Sequence, residues 1–196
     1  MIVPPRGGEL IGDSPERRVE ILCDDDAVHA TWSRFGPGRA GADLHVHRRH
    51  ADVFYVLQGE LTVRLGPSGE ERVAHAGTVV LVPPLVVHGF RNASDVDVRY
   101  LNFHVPGSGF ADYMRALRDG RTLAYDQHPP PGDGGRAPDE VVIGRPPIAA
   151  EGIAIEVVDG DAEFGYVLDG PDAGTWVTAP DRVAPGARVL SVRPRR

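Results

Sequence analysis

Eight histidines punctuate the chain, at positions 29, 45, 47, 50, 75, 88, 104 and 128. Three of them, His45, His47 and His50, fall close together. On a strand, the spacing of two sets His45 and His47 on one face. Asp52 follows after a short charged turn, and His88 comes later, behind the double proline Pro83-Pro84. Two imidazoles, one carboxylate and a third imidazole make a site for one divalent transition metal, with Fe, Ni, Mn, Cu, Co and Zn all compatible. Four protein donors leave one or two positions open on a five- or six-coordinate ion. An isolated HxH pair is more often surface or packing than ligand. The acid within reach and the later His88 shift that balance here.

These residues need elements to position them. Runs at 18–23, 27–35, 43–47, 53–58, 60–65, 71–74, 78–82, 86–90 and 96–105 are short, rich in β-formers and separated by Gly, Pro, Ser or Asn turns. Strands at that spacing predict an all-β sandwich or barrel, with no βαβ rows. Phe110–Leu117 reads as the one helix, stopped at Gly120. Asp126–Pro138 is Pro/Gly-rich and reads as a linker or belt. Beyond it, residues 140–192 return to β-like runs without a histidine. The expected organisation is an N-terminal arm and first strand (1–26), a barrel (27–105), a helix and linker (106–139) and a β-rich extension (140–196).

Composition narrows the function. The chain has 196 residues, 41% of them hydrophobic, with 24 Gly and 18 Pro. That length buries a sizeable core without disulfides, and the single Cys23 cannot form an internal one. With no lysine and 28 acidic against 21 basic residues, the net charge is −7. An acidic chain argues against general nucleic-acid binding. No apolar run approaches a membrane span, and the start lacks a signal-peptide pattern, so a cytoplasmic protein is expected. The basic end, RPRR, reads as a frayed terminus.

At this point the sequence resembles the cupin superfamily. The family's first motif, HxH, three or four residues, an acid, six residues and a Gly, is met by His45, His47, Asp52 and Gly59. Its second, a Gly, Pro-x-Gly, a His and an Asn, is met by Gly77, Pro83, His88 and Asn92. The resemblance covers residues 27–105 and implies a double-stranded β-helix, the jelly-roll barrel. It also implies His45, His47, Asp52 and His88 as metal ligands. There are departures. The leading Gly is displaced to Gly38 or Gly41, around Arg39. Leu85 replaces the Gly of Pro-x-Gly. Asp52 replaces the usual Glu and is one methylene shorter, so it either lies closer, acts through water or yields its place to His50. The segment His104–Leu117 more weakly resembles bacterial quercetin-dioxygenase-like cupins.

Around the metal, His50, Phe54, Phe90, Tyr100, Asn102 and His104 are candidate pocket residues, with His50 otherwise an exposed turn residue. His29 and His75 read as partly exposed packing and His128 as solvated. The resemblance implies a dioxygenase-like enzyme acting on a small aromatic or enol substrate, with Asp52 taking the substrate's proton. A non-catalytic binding cupin and a metal-dependent isomerase, cyclase or lyase are the alternatives. A homodimer is expected through uncovered sheet edges, unless residues 140–192 fold back over their own barrel.

Overall fold

Three antiparallel sheets stack in layers in the computed structural model, which describes residues 4–194. The middle layer has seven strands in the order β1-β2-β3-β9-β4-β7-β10. These are β1 (Glu9–Asp13), β2 (Arg17–Asp24), β3 (His29–Phe35), β4 (Ala51–Gln58), β7 (Val79–Val82), β9 (Val98–Val105) and β10 (Val142–Gly144). One flanking sheet is β6-β5-β8, built from β5 (Glu60–Leu65), β6 (Glu70–His75) and β8 (His88–Arg91). The other is β11-β12-β15-β13-β14, from β11 (Ile148–Ala150), β12 (Ile153–Asp159), β13 (Phe164–Val167), β14 (Trp176–Thr178) and β15 (Arg188–Pro194). Helix α1 (Phe110–Arg118) leaves β9 and is tied to β1 by Arg115 and Arg118, which both pair with Glu9 at 2.8 Å.

Side-chain alternation divides the middle sheet between two cores. Phe54 and Val56 of β4, with Val98 and Tyr100 of β9, pack toward Leu61, Val63 and Leu65 of β5. Their neighbours Val53, Tyr55, Leu101 and Phe103, with Ala30 and Trp32 of β3, pack toward Ile153, Ile155, Phe164, Leu190 and Val192. A strand covered on both faces needs apolar residues at successive positions. This explains the unbroken runs VFYVL in β4 and VVLV in β7. Each such side chain contributes about 1.5–3 kcal/mol on full burial. The first core joins the seven- and three-stranded sheets into the double-stranded β-helix. Among the described residues no ladder joins those two sheets; the segment between β3 and β4 meets β8 through isolated bridges, Ala40 with Arg91 and His45 with His88.

Several elements differ from the sequence expectation. Part of the N-terminal arm is β1, whose polar residues face solvent while Ile11 enters the first core. Residues 43–47 form no ladder strand, only the bridges His45 to His88 and Val46 to His128. β11 was hidden by its three-residue length. The C-terminal sheet folds over its own middle layer, and β10 pairs along β7. This covers a surface the homodimer expectation left open. The terminus is not frayed through residue 194: β15 includes Arg193 and Pro194, and Arg193 pairs with Glu156 at 3.0 Å. The last two residues of that basic end, like the first three of the start, lie outside the described residues. Among the described residues no helix is long and apolar enough to cross a membrane.

Candidate metal centre

Asp52 sits on β4 and His88 begins β8, so the two facing sheets each contribute a group. His45 and His47 come from the extended segment that crosses between them. Its backbone is fixed by a reciprocal pair with His88: His45 N–H donates to the His88 carbonyl, and His88 N–H to that of His45, both at 2.9 Å. All four side chains are buried, and one donor atom from each lies within 4.8 Å of the others. The turn before His88 keeps its shape despite Leu85, which adopts φ +68° in the region that favours glycine. Its N–H donates to the His47 carbonyl at 2.7 Å. Of the glycines near the first motif, Gly41 makes the close approach: a Cβ there would lie 2.3 Å from the Phe90 ring.

The tautomers follow from the backbone. His45 Nδ1 meets the Asp43 carbonyl at 2.6 Å, His47 Nδ1 meets that of Asp126 at 2.5 Å, and His88 Nδ1 meets that of Val86 at 2.9 Å. A carbonyl only accepts, so each Nδ1 carries the proton and each neutral ring turns an Nε2 lone pair inward. The His45 and His47 Nε2 atoms are 3.1 Å apart. Asp52 Oδ2 lies 3.2 Å from His88 Nε2 and 3.7 Å from His47 Nε2. Two donors about 2.1 Å from one ion, at angles between 90° and tetrahedral, are about 3.0–3.4 Å apart. Lone pairs and a carboxylate at or near that spacing can share one cation between them. The donor set therefore fits a divalent metal, and the backbone carbonyls supply the outer contacts that orient imidazole ligands.

Burial, then His88 and His47, lowers the His45 pKa to about 3. Burial also depresses His47, but Asp52 outweighs it and the pKa is raised. Burial raises that of Asp52, yet His104 and the nearby His47 and His88 hold it well below the usual carboxylate range. Asn102 donates to Asp52 Oδ1, which leaves Oδ2 facing the imidazoles.

The remaining predicted residues divide. Phe90, Tyr100, Asn102 and His104 line a cavity of about 250 Å³ together with His45, His47 and Asp52. Phe54 is off that wall and packs its ring against Phe90 at 5.0 Å. His50 is not an exposed turn residue. It is 1% exposed behind His47, within hydrogen-bond distance (2.9 Å) of the Tyr125 hydroxyl, which His104 Nδ1 meets at the same distance. His29 is fully buried against His104 and Phe110 rather than partly exposed. His75 stays exposed and pairs with Glu60. His128 is not simply solvated, since Nε2 lies 3.0 Å from Asp126 Oδ1.

Two residues that shape the site, Tyr125 and Asp126, lie in what reads from sequence as a helix and linker. The Asp126 side chain accepts the N–H groups of Arg48 and Arg49 at 3.0 and 2.8 Å, and its carbonyl holds His47. Tyr, Asp and His within four residues were the available signal. The proline run that follows obscured it.

A facing-sheet β-helix with three histidines and an acid at its centre defines the structural class. Residues 31–104 match the cupin domain family, and this part of the chain is a cupin domain. It is 30% identical over 110 residues to quercetin 2,3-dioxygenase of Bacillus subtilis (strain 168). That match takes in 56% of this chain and 32% of the relative, so the chain spans about a third of the relative's length. Among solved structures it is similar to KdgF from a Halomonas species, at 27% identity and TM-score 0.43 over 50% of this chain and 86% of that one. It is also similar to an RmlC-like cupin from Shewanella frigidimarina, at 26% identity and TM-score 0.44 over 54% and 89% of the two chains.

Proposed function

We propose that this cupin is a mononuclear metal-dependent enzyme of dioxygenase type acting on a small aromatic or enol substrate in the cytoplasm. His45, His47, His88 and Asp52 would hold one divalent transition metal. The observation that carries the reading is the clustering of three imidazole donors with the Asp52 carboxylate, each ring fixed through its Nδ1 proton. The similarity to quercetin 2,3-dioxygenase supports the choice of reaction.

A divalent ion there supplies Lewis acidity and, where redox-active, one-electron chemistry with dioxygen. The protein supplies the rest. The cavity, near the lower end of the usual size for small-molecule sites, admits a small planar molecule and limits water. Phe90 and the Tyr100 ring flank it. When it is off the metal, Asp52 takes the proton of the substrate hydroxyl at Oδ2, while Asn102 holds Oδ1 in place. The low Asp52 pKa keeps the carboxylate ionised for that step. A homodimer through the outer strand β1 belongs to the same proposal, and light scattering measures it.

The test loads purified protein separately with Fe(II), Ni(II), Mn(II) and Cu(II) and measures bound metal by elemental analysis. Oxygen uptake is then followed with flavonols, catechols and β-diketones. One ion per chain and uptake with at least one metal is the expected result. Absence of stoichiometric metal overturns the site. Stoichiometric metal without uptake on any substrate overturns the oxygenase reading.

A further inference from the structure

The cavity that holds the proposed metal donors also holds positive charge of its own. Arg17, at the start of β2, and Arg39 line it, and Asp52 is the one acid on its wall. This is the reverse of the chain's balance, 28 acidic residues against 21 basic. Arg39 is engaged, with Nη1 at 3.1 Å from Glu16 Oε2. Arg17 is not: among the described residues its guanidinium makes neither an ion pair nor a hydrogen bond.

Arg17 is placed by register. It pairs across to Phe35 on β3, whose ring meets Tyr100 edge-on at 5.4 Å. Tyr100 lies two residues along β9 from Asn102, the residue that holds Asp52. The inner sheet face thus forms one floor from Asp52 toward Arg17, with Val19 and Met114 among its apolar lining. A cavity with a surplus of one sign of charge concentrates counter-ions of the other.

We propose that Arg17 anchors a carboxylate of the substrate, so that the substrate class is a small planar hydroxy or enol carboxylic acid. Its carboxylate takes the guanidinium fork, and its hydroxyl oxygen points to the donor cluster. The second half of this assignment rests on the proposed metal site, and the first half does not. One guanidinium offers two parallel N–H groups that match the two oxygens of a carboxylate. A phosphate group, with a second negative charge, calls for a second free cation, and the other arginine on this wall, Arg39, is engaged by Glu16.

Binding of three probes tests it by calorimetry: 4-hydroxybenzoate, the neutral 4-hydroxybenzamide and 4-hydroxyphenylphosphonate. Each is titrated into metal-free and zinc-loaded protein, with zinc content measured separately. The wild type is expected to bind the benzoate at least about tenfold more tightly than the amide, the scale of one charge-assisted pair. Arg17→Gln should erase that preference without changing amide binding, and Arg17→Lys should retain part of it. The Arg17-dependent preference should persist without metal, so failure of the metal site leaves it standing. The proposal is overturned if the benzoate binds no better than the amide, including no binding of either. It is also overturned if Arg17→Gln keeps the preference or the phosphonate binds most tightly.

Discussion

The Nδ1 proton of His47 is held by the main-chain carbonyl of Asp126, 79 residues further along the chain, at 2.5 Å. The same residue's side chain accepts the amides of Arg48 and Arg49, immediately after His47. The segment after the helix therefore orients the HxH motif from outside the cupin domain. Asp126→Ala leaves two amides without an acceptor, at about 1–3 kcal/mol for each that is cut off from water. The melting temperature should fall. Metal affinity should drop about 10- to 100-fold, the range for outer contacts of ligands. Competition against a chelator measures this, and unchanged affinity would show that the segment does not orient His47.

Removing a proposed ligand should separate metal binding from folding. Both cores are formed by apolar side chains on the strands, and His88 belongs to neither. His88→Ala and His47→Ala should each lose most bound metal and keep the β-type circular dichroism. Asp52→Asn should bind metal more weakly and abolish proton abstraction, since a neutral amide neither balances the ion's charge nor serves as base. A variant with wild-type metal content and full turnover would remove Asp52 from both roles.

The cluster itself was legible because its signal is local. His45, His47 and Asp52 lie within eight positions, and the proline turn marks His88. The strands of the middle layer were legible because burial on both faces leaves long apolar runs. What could not be read was long-range. Nothing near Asp126 shows that it will meet residues 47–50. Arg17 is one arginine among many until register sets it opposite Phe35. His50 looked exposed because it sits among charged residues, and only tertiary packing buries it. The role of residues 140–192 was also hidden, since a second apolar face on β4 and β9 identifies a covering layer only once its partner is known.

Leu85 stores strain that a single substitution should release. It holds φ +68° with its side chain 44% exposed, so it makes little packing return for a left-handed backbone that costs about 1–2 kcal/mol. Leu85→Gly removes that strain but increases the freedom of the unfolded chain by up to about 1 kcal/mol. The expected result is unchanged to modestly raised thermal stability and unchanged metal content. A clear drop in melting temperature would mean that the exposed leucine contributes packing the geometry does not show.

Acid should destabilise the metal-free protein over a defined window. Burial is the leading cause that lowers the pKa values of His29, His45, His50 and His104, with His45 and His50 reaching about 3. A histidine depressed in the fold stays neutral while the unfolded chain, with a value near 6.5, takes up a proton. Its contribution to stability is present above that unfolded value and is lost as pH falls toward the folded one. His47 has the opposite sign, being raised: its contribution is present below the unfolded value and lost as pH rises through the folded one. Asp52, depressed, loses its contribution only at still lower pH. Between about pH 6.5 and 4.5 the unfolded chain takes up more protons at these histidines than the fold does, so stability falls as the pH drops. Melting temperatures of chelator-treated protein from pH 7 to 4.5 should fall steeply. His29 allows an internal control, since neither ring nitrogen has a hydrogen-bond partner among the described residues. His29→Leu removes two unsatisfied polar atoms and should raise stability at pH 7 by about 1–3 kcal/mol. It should also reduce the pH slope by about one proton. A flat melting profile across that window, or a His29→Leu variant that melts lower with the same slope, would show that these histidines are not neutral in the fold.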